Sequence, residues 1–414
     1  MNSAFRSQPG EVALHKVLRA ISTLELESRV ETVAATPGAA FVSLLHQGEP
    51  VAHGIGKGQC CDALTGAYFE ALEHYALDLA AADATAPKTF KSSMALTRDP
   101  ALTGDRAISL FAESEDIDLA VRRFTAIAGT DNILYPEFLI NPRCMTGGTS
   151  FHGVERYSSN SGTAIGLGND EAVLHGINEV IERDLLSRML ASGTFLERIP
   201  VGLIDPATLP LDMQRAFEAT CKIVDSELAL LLISQPDELP TFVALVMSED
   251  DHPVWGAGTA LCGLRAAQRA IDECAQSAHA LAMRHDMREA QTGHRQRVAG
   301  LPALSRISSL HWSTFTAHVD LSPMTFAAAA QNIFPEESGK PLWSLASTLA
   351  STLAVARRSY SGIFGATIAR FPEEIVVVQI VIPEADSFFL ALSGVPVVPS
   401  IRHCRKTLDL VNTE

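Results

Sequence analysis

No CxxC pair occurs in this sequence, and its seven cysteines (Cys60, Cys61, Cys144, Cys221, Cys262, Cys274 and Cys404) are scattered. An odd, unclustered set argues against a zinc knuckle and a disulfide framework, and for a reduced chain. Positive charge is also short. With 32 Lys and Arg against 48 Asp and Glu, the formal net charge is -16. That excludes a general affinity for nucleic acid or anionic lipid, although it leaves room for a local basic site. No apolar run is long enough to span a bilayer; "ELALLLIS" and "EEIVVVQIVIP" read as buried strands or helices. The first twenty residues lack the apolar core of a signal peptide. A soluble, cytoplasmic chain is therefore expected. The P-loop pattern GxxxxGK[ST] is missing too. "GIGKG" has the wrong spacing, so any phosphate binding is of another kind.

What is present is a globular chain. Its 414 residues are 47% hydrophobic, enough for one large domain or two ordinary ones. Leu14, Val17, Leu18 and Ile21 repeat at helical spacing and place a first helix near 11–25. "AAFVSLLHQGEPVAHGIGKG" reads as strand, turn, strand, and "DALTGAYFEALEHYALDLAAA" as the helix that follows. "NILYPEFLI" reads as a strand. "GGTSFHGVERYSSNSGTAIGLGND" has the chemistry of a loop and feeds the helix "DEAVLHGINEVIERDLLSRMLA". "VDSELALLLIS" and "TFVALVMSED" look like paired strands, and "AGTALCGLRAAQRAIDECAQSAHALAMRH" is a third long helix, with Leu264, Ala267 and Ile271 as its core stripe. Residues 286–345 show no clear pattern and suggest an inserted or mobile segment. No low-complexity linker separates these parts, so an interleaved α+β architecture is expected.

The three long helices share one polar spacing. Positions i, i+4 and i+7 form a stripe on a helix. That stripe is Gly66, Glu70, Glu73 in the first, His175, Glu179, Glu182 in the second and Arg269, Glu273, Gln276 in the third. Carboxylates at i, i+3 lie about 5 to 6 Å apart. Half buried, they repel by roughly 3 kcal/mol. Single ExxE pairs are common on solvated faces, but two pairs and a matching RxxxExxQ ask for a shared cause. Magnesium ions carrying a nucleotide supply one, because Mg²⁺ bridges carboxylates to phosphate oxygens. Lys57 and Arg269 would then meet the phosphates.

The ordered set of motifs resembles the YcaO family: "GKG" (56–58), "GAYFEALEH" (66–74), "SSNSGTAIGLGNDEA" (158–172), "HGINEVIERD" (175–184), "RAIDECAQ" (269–276) and the late "VIPEAD". The resemblance implies a single large α+β domain, not a P-loop fold. Residues 1–53 contribute a helix and strands to it, and 54–414 form the ATP-binding catalytic part. It also implies ATP and Mg²⁺ as cofactors, and activation of a peptide backbone amide by O-phosphorylation. Azoline-forming and thioamide-forming members both work this way. By matching position, Glu70, Glu73, Glu179, Glu182 and Glu273 become metal or nucleotide ligands, Arg183 and Arg269 nucleotide-site residues and Lys57 a phosphate contact. Asn160 and Ser161 fall in the family's binding loop.

Several positions depart from the family pattern. Gly66 stands where a Ser is common, with Thr65 beside it as a substitute hydroxyl, and His74 stands where an Arg is common. Ser161 and Leu167 fall on the family's two Asn positions. Azoline-forming members often end in a proline-rich PxPxP tail. Here "GVPVVPSIRHC" offers two prolines, away from the terminus. The expected partners are a ribosomally made precursor peptide and a separate protein, either a recognition module of the E1-like kind or a TfuA-like one; a homodimer is also compatible. Nucleic acid and membrane are not expected. The competing reading is a non-catalytic scaffold that keeps the fold and binds nucleotide or partner. Elsewhere, Cys60 and Cys61 precede a helix, whose dipole can activate a thiol. His152 and His252 fit no metal spacing, and "GGTS" (147–150) could wrap an anion.

Overall fold

The computed structural model describes residues 7–83, 88–145, 151, 153–249, 253–330 and 344–400. His152, His252, Cys404 and the "GGTS" stretch (147–150) lie outside them. The described residues build three sheets and several long helices. The first sheet is an antiparallel meander of Glu27–Val33, Gly38–His46 and Glu49–Gly58. The second runs in the order Thr89–Ser92, Asp118–Ala126, Phe364–Arg370, Ile375–Val381, Thr163–Leu167, with Asn132–Pro136 also pairing Asp118–Ala126. The third runs Trp255–Thr259, Thr241–Val246, Leu228–Leu232, Pro200–Ile204, Asp320–Met324. The α+β reading and the single large domain of mixed sheets hold.

Ile375–Val381, expected as a core strand, is buried along its whole length. Strand pleating divides it: Ile375 and Val377 join one core, Val376, Val378 and Ile380 another. The helix Cys60–Ala82 packs in the first core and Asn169–Ala191 in the second. The hairpin ending at Gly58 and the strand pair 228–232 and 241–246 form as expected. The first helix is Gly10–Thr23.

Three regions differ from the sequence reading. The Ser/Gly/Asn stretch contains a buried strand, Thr163–Leu167, which its turn-forming neighbours conceal. Much of 286–330 is ordered as the helices His285–Val298, Pro302–Ser309 and Trp312–His318 and the strand Asp320–Met324. These elements are short and mostly half-exposed, so no long apolar period marks them. Asp320–Met324 pairs in parallel with Pro200–Ile204 at a sheet edge, where Pro323 costs no ladder bond on its outer side. "NILYPEFLI" is also split, into the strand Asn132–Pro136 and a helical turn Glu137–Ile140.

One pattern organises the molecule. Glu49–Gly58, Thr163–Leu167 and Trp255–Thr259 are each the edge strand of a different sheet. Each leads directly into one of the three long helices, Cys60–Ala82, Asn169–Ala191 and Gly263–Met283. Each helix lies against the next unit's edge strand in cyclic order: the first on 163–167, the second on 255–259, the third on 49–58. Within two of the units, glycines let the helix lie close on its own strand. A Cβ on Gly56 would stand 1.7 Å from the Ala63 carbonyl oxygen, and one on Gly258 would stand 2.2 Å from that of Ala266. Three strand–helix units thus close around one centre.

Candidate functional site

The centre of that ring is acidic. Glu70 and Glu73 come from the first helix, Glu179 and Glu182 from the second, and Glu273 from the third, and they perturb one another's ionisation. Lys57, on the first edge strand, is ion-paired with Glu273. Arg183 and Arg269 stand within electrostatic reach of Glu179, Glu182 and Glu273. Five carboxylates therefore face three cations. The shared stripe of the three helices is one surface, folded inward.

Its charges are not alike. Burial pushes the Glu70 carboxyl up to about 7, against the pull of the Ile55 backbone amide and Lys57. Burial, then the charges of Glu179 and Glu70, hold Glu73 well above the usual carboxylate range, although the Ile165 amide opposes them. Burial also lifts Glu179 to about 7, with Arg183 opposing. Glu182 is 4% exposed and is raised by burial and by Glu273. Glu273 goes the other way. Burial would raise it, but Lys57, Arg183 and Arg269 together hold it below its ordinary value. The Arg183 guanidinium is kept charged by three glutamates in spite of its burial.

Several buried polar atoms at this centre have no hydrogen-bond partner: Glu182 Oε2, Asn178 Oδ1, Arg183 Nε and Arg269 Nε. Leaving such groups unpaired costs about 1 to 3 kcal/mol each, more when charged. A ligand bringing both cations and anionic oxygens would satisfy the acceptors and the donors together. Among the described residues no three acids, histidines or cysteines already close on one metal-sized point. That fits Mg²⁺, which commonly takes one or two carboxylates and completes its shell with phosphate oxygens and water. The residues present thus suit a magnesium nucleotide.

The remaining expected residues are distributed as follows. Ser161 lines a cavity beside Arg183. Asn160 sits in the turn before the edge strand, its carbonyl accepting from the Thr163 N–H. Gln276, third in its stripe, donates to the Ile55 carbonyl at 2.7 Å and so ties its helix to the strand bearing Lys57. His74 donates from Nδ1 to the His53 carbonyl, and burial lowers its pKa, so it brings the acids no cation. Thr65 is buried and donates to the Cys61 carbonyl within its own helix. Leu167 is a core side chain. Cys60 and Cys61 open the first helix, exposed and partly buried respectively.

Sequence reasoning missed Asn178, although it precedes Glu182 by one helical turn on a nearly all-buried helix. It also missed the cavity of about 70 Å³ next to Arg183, which Asp105, Arg106, Tyr157, Asp386 and Phe389 help to line. Those residues come from three segments far apart in the chain, and of the quoted motifs only "VIPEAD" reaches one of them, Asp386. The segment carrying Pro396 and Pro399 bonds to two residues of the cavity wall. The Val398 amide donates to Tyr157 Oη, and the Ser400 amide donates to Asp386 Oδ2 at 2.6 Å.

A family model described as YcaO cyclodehydratase, ATP- and Mg²⁺-binding, matches residues 55–386. The chain belongs to the YcaO family. ATP and Mg²⁺, the cofactors that the acidic centre suits, are those of the family. The fold agrees with solved structures. A YcaO protein from Methanopyrus kandleri, bound with AMPPCP and Mg²⁺, superposes with a TM-score of 0.64 at 16% identity, covering 96% of each chain. A chain of the E. coli microcin synthetase McbBCD complex gives 0.59 at 13% identity, covering 87% of this chain and 88% of that one. A heterocyclase solved in complex with substrate and cofactor gives 0.56 at 14%, covering 92% of this YcaO chain and 52% of that one. At such identities the likeness is one of fold. No curated protein matches the chain. Among the described residues, no helix is long and apolar enough to cross a membrane.

Proposed function

We propose that this YcaO protein uses ATP to activate a backbone amide of a ribosomally made peptide by O-phosphorylation. The observation that carries the reading is the convergence of Glu70, Glu73, Glu179, Glu182 and Glu273 from three helices, opposed by Lys57, Arg183 and Arg269. A scaffold that no longer bound nucleotide would gain nothing from keeping unpaired buried charges at such cost. In this reading the five glutamates hold the magnesium ions, which supply neutralisation of phosphate charge when bound. Lys57 and Arg269 hold phosphate oxygens, Arg183 stands between phosphates and peptide, and the 160–161 turn contributes Asn160 and Ser161 at the rim.

The chemistry is balanced by ATP itself. A nucleophile adds to the amide carbon and gives up its proton, the resulting oxyanion takes the γ-phosphoryl group and releases ADP, and phosphate then leaves with the former amide oxygen as nitrogen (azoline) or sulfur (thioamide) forms the new double bond to carbon and sheds its proton. The chain's own residues contribute positioning and charge placement. With a Cys, Ser or Thr side chain as nucleophile the product is an azoline. The family description as a cyclodehydratase favours that outcome. With external sulfide it is a thioamide. A separate partner protein is proposed to deliver the peptide.

Mass spectrometry of the candidate peptide after incubation with the chain, partner and ATP tests the reading. Loss of water lightens the product by about 18 Da per site, whereas exchange of oxygen for sulfur adds about 16 Da. ATP turnover without a mass change, with all components present, sinks the proposal in favour of a nucleotide-binding accessory.

A further inference from the structure

Arg183 has two sides. One faces the glutamates; the other lines the cavity of about 70 Å³ shared with Asp105, Arg106, Tyr157, Asp386 and Phe389. The cavity's two carboxylates and its Tyr157 hydroxyl are engaged. Asp105 accepts from Tyr135 Oη at 2.6 Å and from the Ile108 amide at 3.0 Å. Asp386 accepts from the Phe388 and Ser400 amides, and Tyr157 Oη exchanges hydrogen bonds with the Val398 backbone. The arginines are different. Arg106 Nε and Arg183 Nε are both buried without a partner. Phe389 lies under the Arg183 guanidinium, 5.1 Å from ring centroid to Cζ, and fixes its plane. The buried lining atoms left without a partner are therefore both donors.

Two buried donors without partners favour a ligand that brings acceptors. Its charged lining decides between an anion and a neutral carbonyl. Arg106 and Arg183 are matched by Asp105 and Asp386, so an added anion would meet two carboxylates as well as two guanidiniums. A neutral carbonyl oxygen takes the N–H donors without that repulsion. A cavity of about 70 Å³ is polar and large enough to admit an amide group. We propose that this cavity receives the backbone carbonyls of the peptide, and that Arg106 is a positioning residue which sets the reacting amide against Arg183 and the acidic centre. The proposal rests on the amide-activating reading above and adds to it a place for the peptide.

The test uses the full chain with ATP and Mg²⁺. Two probes are titrated by calorimetry: N-acetyl-Gly-Cys-Gly-amide, and the same peptide with a free C-terminal carboxylate. ATP is titrated separately. Wild type should bind the neutral peptide in the millimolar range. Arg106→Gln should weaken that binding about tenfold, as for one hydrogen bond from a charged donor, and Arg106→Lys should restore part of it. ATP affinity should stay within about twofold throughout, since Arg106 is not among the charges acting on the five glutamates. Absence of neutral-peptide binding to wild type overturns the proposal, as does equal binding to wild type and Arg106→Gln. Binding of the free acid about tenfold more tightly than the amide makes this an anion site and overturns it too. Parallel loss of ATP and peptide affinity would put Arg106 in the nucleotide site instead. If Arg106→Gln does not fold, as judged by thermal melting, Arg106→Lys decides alone, and undiminished peptide binding by it counts against the proposal. Failure of wild type to bind ATP sinks the broader reading, whereas the peptide titrations bear on this inference only.

Discussion

The helices Cys60–Ala82 and Asn169–Ala191 are each 23 residues long, each follows an edge strand, and each points an ExxE pair at the same cleft. Their surroundings differ. The first buries small residues, including Ala63, Ala67 and Ala71, against a glycine-bearing strand and keeps a half-exposed outer side. The second is buried almost all round, and even Glu182 and Asp184 are enclosed. Charge follows the same division. Glu70 has Lys57 as its nearby cation and Glu73 is set against Glu179 and Glu70, whereas Glu179 and Glu182 lie near both Arg183 and Arg269. One spacing thus gives two electrostatic sites. The second pair is already partly neutralised; the first waits for positive charge from elsewhere.

The largest effect that would sharpen this comparison is expected at Glu182. Glu182→Gln should cut ATP turnover by about 10³-fold, the range for losing one well-placed electrostatic group. It should leave the melting temperature unchanged or higher, because a buried, unpaired acid is removed. Glu70→Gln serves as the matched measurement. Steady-state ATPase assays and melts of both variants check this, and a cooperative loss of fold in Glu182→Gln would show its role to be structural.

Asp105 supplies a third case, a buried acid held by hydrogen bonds from Tyr135 and the Ile108 amide. Burial pushes it from 3.8 to about 6 in spite of those bonds. Its protonated form is therefore favoured by folding. The stabilisation is complete below pH 3.8 and is lost as pH rises through about 6. Relative to wild type, Asp105→Asn should gain up to about 3 kcal/mol between pH 4 and pH 7.5. Urea unfolding at the two pH values measures it; a pH-independent difference would mean that Asp105 does not titrate in this range.

A smaller change is expected at the cation of the second pair. Arg269→Ala should weaken ATP binding about tenfold and the binding of peptide less. Parallel calorimetric titrations check the ratio, and equal losses would remove Arg269 from the phosphate site. The smallest effect concerns the first helix itself. A Cβ on Gly66 would meet its nearest neighbour, Gly56 Cα, at 3.5 Å, an ordinary contact. Gly66→Ala should therefore stabilise the protein by about 0.5 to 1 kcal/mol through helix propensity. A thermal melt decides, and destabilisation would show that the strand beneath cannot give.

The sequence by itself determined the stripes at 66–73, 175–182 and 269–276, because helical periodicity fixes which side chains share a face whatever the helix packs against. It also determined the hairpin ending at Gly58 and the core strand Ile375–Val381, whose alternating and continuous apolar patterns have no other stable use. It did not reveal the strand Thr163–Leu167, flanked by glycines and serines, or the short elements after residue 285. Tertiary structure alone decided that three sheet edges meet, so that the stripes converge instead of facing solvent. It also decided which acids are raised and which is lowered, since ionisation depends on burial and on cations brought from other elements. The cavity at Arg106 belongs to the same class. Its walls come from segments far apart in the chain, and only long-range packing gives them a common address.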